Sequence, residues 1–264
     1  MENKEDGLMD RSFQWVFIAM TGFMAAVFGV LLLHASPGQF RDVIGNPEFQ
    51  FAAIFTVATT VIATGAAVLV AIPCGYALAR QSFPGKAFLD TLLDLPIVMP
   101  PLVSGVALLL LFGPVLGDGL SRMGLDIVFS ARGVAVAQWF IATPFAIKTF
   151  SHAFSAIDPR YEKVARTLGH TSWQTFWRVT LPMARKGILG GIAMTWARSL
   201  GEFGATAMLA GVTRMKTETL SAAVYLSMSI GDLPFALTTA VVLWIVALTV
   251  LVVFRTVTGT VIRT

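Results

Sequence analysis

Residues 52–79 read AAIFTVATTVIATGAAVLVAIPCGYALA, a run with no Asp, Glu, Lys or Arg. About 20 apolar residues suffice for one helical crossing of a bilayer's hydrocarbon core. A chain in lipid must satisfy its backbone polar groups internally, so the run is expected as a membrane-spanning helix. Comparable runs lie on either side: Phe13–Leu33 before it, then Leu92–Leu116, Gly133–Phe154, Gly187–Gly211 and Leu233–Phe254. The expectation is an all-α, polytopic membrane protein with six transmembrane helices, in which residues 1–264 form one transmembrane domain. A membrane barrel would need short alternating strands, and these runs are continuous. The first run follows an acidic, polar start and is too long for a signal-peptide core, so it is expected as an uncleaved helix.

Composition agrees. Of 264 residues, 56% are hydrophobic and 13% charged, and the mean hydropathy is +0.75. A soluble domain carries about 25% charged residues. The 20 Phe and long apolar runs also exclude disorder. The net charge of +4 does not point to nucleic acid, because the basic residues fall between the apolar runs rather than in one block. With the N-terminus inside, twelve Lys and Arg fall on the inner side, among them Lys4, Arg80, Arg166, Arg255 and Arg263. Five fall outside: Arg41, Arg122, Arg132, Arg214 and Lys216. The excess of Lys and Arg marks the cytoplasmic side, which places both termini there. The single cysteine, Cys74, lies in an apolar run and is read as a small buried hydrophobe.

The longest polar interruption is 157–186, on the inner face. Asp158 is an N-cap, Pro159 suits the first helical position, and Gly169 is a stop. Thr171 or Ser172 then caps a second short helix with Trp173, Phe176 and Trp177 on one face, and Leu181-Pro182 closes it. Two short helices with a sharp turn suit either of two roles. They make an amphipathic pair at the lipid surface, or a docking knob for a soluble partner.

A phosphate-binding loop needs Gly-x4-Gly-Lys-Ser/Thr, so that backbone N–H groups cradle phosphates and the Lys reaches them. The only Gly-Lys is Gly85-Lys86, followed by Ala87 and without the upstream Gly. ATP-driven work would therefore require a separate ATPase. The histidines, His34, His152 and His170, are far apart and lack metal-ligand spacing. No Gly-x-Ser-x-Gly elbow is present. A membrane enzyme is disfavoured, and no catalytic residue or metal site is expected.

Ionisable groups within a span are costly and mark functional sites by default. Arg198 and Glu202 are four apart on the fifth run, so they share a helical face and can pair. They are read either as a self-neutralising pair or as a pair lining or gating a path. Gly201, Gly204 and Ala205 beside them, and Gly187, Gly190 and Gly191 at the run's start, let another helix come close. In the third run, Pro100-Pro101 removes two backbone donors just before Ser104, so a regular helix fails there. Such a break belongs against protein or a watery cavity. Pro73, Pro114 and Pro144 are read as simple kinks. Ion-gradient coupling would want several carboxylates within the spans. Glu202 is the only clear one, with Asp94 near an end.

The spacing Gly169, nine residues, then Val179-Thr180-Leu181-Pro182 resembles the cytoplasmic loop of ABC importer permeases, Glu-Ala-Ala-x3-Gly-x9-Ile-x-Leu-Pro. Lys163 and Val164 stand where Glu and the first Ala are usual, Ala165 matches, and Glu162 is one position early. The resemblance implies coupling helices that dock on a separate ATPase, with Glu162, Lys163, Val164, Ala165, Gly169, Val179, Leu181 and Pro182 in that loop.

A narrower likeness runs through Leu95-Pro96-Ile97-Val98-Met99-Pro100-Pro101 and through Ala197–Gly211, continuing in Thr217-Glu218-Thr219-Leu220 and Tyr225. These stretches resemble molybdate and tungstate permeases, with sulfate/thiosulfate permeases next. The implied protein is the permease of an ATP-driven oxyanion importer. Its path is formed by two copies of the chain and gated near Pro100, Pro101, Ser104, Arg198 and Glu202. The implied partners are a second copy, two ATPase subunits carrying ATP and Mg, an external oxyanion-binding protein and the bilayer.

Overall fold

The computed structural model describes residues 2–34 and 37–258. Among them every regular element is helical, and there is no strand. Arg263, one of the cations used to orient the chain, lies outside the described residues, and the side chains of Lys4 and Arg255 are not described.

Three helices are long and apolar enough to cross a bilayer without interruption. The first span lies in α1 (Glu2–His34), the second is α3 (Pro47–Arg80), and the last lies in α13 (Leu233–Thr258). A short α2 (Pro37–Gly45) precedes α3. The Asn46 side chain caps α3 by accepting the Glu48 N–H at 2.8 Å. At the other end of α3, Lys86 Nζ donates to the free carbonyls of Leu78 and Gln81 at 2.7 and 2.9 Å. A cation there also meets the negative end of the helix dipole.

The third run is not one helix. It forms α4 (Lys86–Val98) and α5 (Pro101–Leu110), the latter extended by a π-helical turn at Leu111–Val115 that contains Pro114. The axis turns through 111° between them. The cause is local. Pro100 and Pro101 offer no N–H, so α4 ends with Met99 bonded to Leu95 O, and the Pro100 carbonyl opens α5 by accepting from Val103 at 2.9 Å.

After α6 (Gly117–Arg122), the fourth run forms α7 (Ala131–Ser155), unbroken through Pro144. Buried in the middle of the bundle, α7 packs along α3, α10 and α11. A helix covered by protein on several sides can carry Gln138 and Lys148 where a lipid-facing one could not.

The fifth run also breaks. α10 (Leu181–Leu200) stops at Gly201, and α11 (Gly204–Ala210) restarts three residues later. A further apolar helix, α12 (Leu220–Ser229), precedes α13 and was not foreseen from the sequence. At ten residues it is too short to stand out as a span. The small-residue start of α10 meets α7 as expected. A Cβ on Gly187 would lie 2.7 Å from Ala153 Cβ, and one on Gly191 would lie 2.7 Å from the Phe150 ring.

Three buried apolar clusters follow. One, around Phe150, Phe154 and Phe176, joins α3, α7 and α10 at the end carrying the 157–186 segment. Another, with Leu108, Ile141 and Leu209, joins α5, α7 and α11. The third gathers Phe49, Leu220 and Phe235 at the start of α3. α1 lies against α13, where Phe28 stacks on Trp244 with ring centres 5.4 Å apart.

Candidate coupling loop and path

The polar segment folds as the spacing predicts, with one correction. α8 (Arg160–Thr167) is followed by Gly169 at φ +90°, a left-handed turn suited to glycine. α9 (Ser172–Thr175) then opens with a complete capping box between Thr171 and Gln174. The second helix does not close at Leu181-Pro182. It continues through a π-helical turn, Phe176–Thr180, directly into α10. Pro182 follows that π-helical turn directly, and the wider turn accommodates a residue that offers no N–H. α9 and α10 are thus one continuous lever.

The expected coupling residues divide by exposure. Lys163, Val164 and Pro182 are exposed, Gly169 forms the turn, and Val179 and Leu181 are half-buried. Leu168 and Trp173 stand out at 75% and 70% exposure. Ala165 is buried, and so is Glu162. Glu162 faces inward instead of joining the outer surface. It pairs with Arg80 at 2.9 Å. It also accepts from Tyr76 Oη at 3.2 Å and Thr180 Oγ1 at 3.0 Å. Arg80 also donates to the Ile157 carbonyl at 2.7 Å. The carboxylate therefore bolts α8 to the end of α3 and to the root of the lever. Beside this bolt is an open cleft of about 660 Å³, lined by Tyr76, Arg80, Lys163, Arg166, Trp173 and Phe176.

The second site joins two segments about a hundred residues apart. Pro100, Pro101, Leu102, Arg198, Glu202 and Phe203 line one cleft of about 270 Å³. The two helix breaks face each other across it. Arg198 Nη1 donates to Glu202 Oε2 at 3.0 Å, as the four-residue spacing requires. The partners are unequal, with the Arg198 side chain 35% exposed and that of Glu202 only 1%. The other oxygen of Glu202 accepts the Ala205 N–H at 2.7 Å, capping α11. Glu202 is thus fully engaged, and Arg198 carries the half-open charge. α5 and α11 are in tight contact behind the cleft. A Cβ on Gly204 would lie 3.0 Å from Pro101 Cβ, and one on Gly105 only 2.7 Å from Ala205 Cα. Ser104 is buried on α5 in that packing region.

A third charged group was missed by the sequence reading. Lys148 Nζ lies 2.7 Å from Asp90 Oδ1 and 2.9 Å from Asp94 Oδ1. Asp90 and Asp94 are one turn apart on α4, and that spacing was the available signal. The ladder holds α4 against α7.

Residues 71–259 match the family described as binding-protein-dependent transport system inner membrane component. The chain is 40% identical over 183 residues to a probable molybdenum ABC transporter permease protein of Haloferax volcanii, covering 69% of this chain and 67% of that one. It is 36% identical over 218 residues to the molybdenum transport system permease protein ModB of Mycobacterium tuberculosis, covering 81% and 83%. It is 37% identical over 189 residues to the sulfate transport system permease protein CysW of a Synechocystis strain, covering 71% and 68%. Among solved structures, a chain of a bacterial alginate ABC transporter in complex with its alginate pentasaccharide-bound periplasmic protein superposes with a TM-score of 0.71 at 18% identity, over 99% and 97% of the two chains. A chain of the inward-facing MetNI methionine ABC transporter gives 0.61 at 20% identity, over 80% and 95%. Both show the same fold.

Proposed function

The chain belongs to the family of binding-protein-dependent transport system inner membrane components, and from that premise we propose that it moves a tetrahedral oxyanion, molybdate or tungstate. It is a multi-pass membrane protein and the permease subunit of an ABC importer. The observation that carries the anion reading is the cleft where Arg198 stands half-exposed between two helix breaks. α5 begins at Pro101 beside it, so the positive end of a helix dipole faces the same space. A half-exposed guanidinium, held on one side by Glu202, and a helix start attract a dianion without gripping it, and a path must release what it admits.

In this reading two copies of the chain enclose the path, with both termini cytoplasmic. The solved alginate transporter carries a periplasmic protein. An external oxyanion-binding protein is the corresponding partner here, and it supplies the affinity. The 157–186 loops dock on two ATPase subunits, where ATP and Mg bind. Closure of the ATPases moves the Lys163–Leu168 surface. The continuous α9–α10 lever then carries that motion to Gly201, beside the cleft. A rigid helix between two sites is a physical two-state element.

Sulfate or thiosulfate is the second reading, favoured by relatives of similar identity on both sides, 37% for a sulfate permease and 36% for a molybdenum permease. The test is the chain in lipid vesicles with its ATPase and a molybdate-binding or sulfate-binding protein. Molybdate- or tungstate-stimulated ATP hydrolysis supports the first reading, and stimulation by sulfate alone replaces it with the second. Failure to associate with the ATPase, with anion flux following an imposed ion gradient, overturns both.

A further inference from the structure

The end of the bundle remote from the coupling loop holds one fully buried carboxylate, one half-buried carboxylate and one arginine. α3 runs for 34 residues, about 50 Å at 1.5 Å per residue. Arg80 in its last turn meets the coupling loop, and Glu48 is in its first turn. Against Glu48 lies the segment 211–219, which joins α11 to α12. This segment is tightly built. Gly211 and Met215 have φ of +73° and +56°. The Thr213 N–H donates to Thr217 Oγ1 at 3.0 Å, and Thr217 Oγ1 donates to the Gly211 carbonyl at 3.0 Å. The Met215 N–H donates to Glu218 Oε2 at 3.0 Å. At the segment's end, the Leu220 N–H donates to Thr56 Oγ1 of α3 at 2.8 Å.

Glu218 is 0% exposed, and its side-chain neighbour is the carboxylate of Glu48. Arg214 Nη1 donates to Glu48 Oε2 at 3.3 Å. Arg214 Nε lies 3.2 Å from Glu48 Oε1 without hydrogen-bond alignment. Glu48 Oε1 and Glu218 Oε1 are both buried and accept no protein N–H or O–H. The remaining charges nearby do not help. Lys216, and Arg41 and Asp42 of α2, are exposed, α12 carries no charged residue, and Asp232 accepts the Phe235 N–H. One guanidinium therefore serves two carboxylates.

Two neighbouring carboxylates cannot both ionise cheaply where one of them is fully buried. A single proton would engage both orphan oxygens, one as O–H donor and one as acceptor. We propose that Glu48 and Glu218 hold one proton between them, forming a proton-binding clamp that fastens the 211–219 segment to α3. The electrostatics agree. Burial, first, and the Glu48 carboxylate raise Glu218 from 4.5 to about 7, against the opposing Met215 N–H and Arg214. A carboxyl raised by folding contributes in full below its ordinary value of 4.5, and that contribution is lost as the pH rises through about 7. Acidity at that end of the bundle thus tightens the hold of the 211–219 segment on α3.

The test is amide hydrogen exchange across residues 211–220, in the full chain with its ATPase in lipid nanodiscs, corrected for intrinsic rates. Protection is expected to fall about a hundredfold from pH 5 to pH 8 and to level off above that. Glu48→Gln, whose amide donates to an ionised Glu218, is expected to reduce that dependence, with the part due to burial retained. Infrared spectra supply a second readout: a protonated carboxyl band present at pH 6, lost by pH 8.5 and absent from Glu218→Gln. Protection that is flat with pH in the unaltered chain, unchanged pH dependence in Glu48→Gln, or absence of the carboxyl band overturns the clamp.

Discussion

Arg80 and Glu162 are 82 residues apart in the chain and 2.9 Å apart in the fold, and both side chains are about nine-tenths buried. The pair joins the end of a membrane-spanning helix to the loop that faces the cytoplasm in the proposed orientation. Replacing one member leaves the other as an uncompensated buried charge, which costs about 3 kcal/mol. Arg80→Met should lower thermal stability and weaken co-purification with the ATPase. Adding Glu162→Gln to it should recover much of the loss. A double-mutant cycle on melting temperature measures the coupling, and strictly additive single effects would refute the bolt.

A Cβ on Gly204 would lie 3.0 Å from Pro101 Cβ and 3.1 Å from Leu102 N, so any side chain there must push α5 back. Gly204→Val should force α5 from α11, at a cost of about 1–3 kcal/mol, and abolish uptake in vesicles. Gly201→Ala is the control, because its Cβ would meet nothing nearer than 3.8 Å. Equal uptake by both variants would mean the close approach is irrelevant to the path.

Arg198→Ala leaves the Glu202 carboxylate buried beside a lost cation and should reduce both folding yield and uptake. Arg198→Ala with Glu202→Gln should restore yield without restoring uptake, and Arg198→Lys should retain part of it. Full uptake by the neutral double variant would reduce the pair to a structural role.

Lys148→Met leaves Asp90 and Asp94 as like charges one turn apart. These groups are partly exposed, so the discounted cost is about 1 kcal/mol. A melting temperature lower by about 3 °C in detergent is expected. Asp90→Asn with Asp94→Asn in the same chain should reverse it. No reversal would show that the ladder does not hold α4.

Gly169 has φ +90° and open space where a Cβ would stand. Strain, not a clash, sets the effect of substitution, about 1–2 kcal/mol for a branched residue. Gly169→Leu should move the α8–α9 turn and weaken ATPase association, and Gly169→Asn should do so less. Normal association and transport by the Leu variant would remove the loop from the coupling surface.

Local chemistry was legible in the residues themselves. The Thr171 cap, the Gly169 turn, the Pro100-Pro101 break and the Arg198–Glu202 spacing each follow from groups within a few positions of one another. Glu162 was placed in the coupling loop, without its partners. Nothing local shows that Arg80, Tyr76 and Thr180 converge on it. The stop after Leu200 was missed because Gly201–Gly204 lies inside a longer apolar run, and membrane helices tolerate glycine. Only the capping of Ala205 by Glu202 reveals the restart.

Membrane residence, helical class and the site-bearing segments were determined by the order of residues alone, since hydrophobic length and backbone satisfaction are properties of a stretch. Which segments meet was decided by tertiary packing. The two helix breaks share one cleft because Gly105 and Gly204 let α5 and α11 touch. Two acids share one arginine because the start of α3 and the segment after α11 end at the same face. Pairings over such separations depend on shape complementarity between surfaces, which no single stretch of sequence contains.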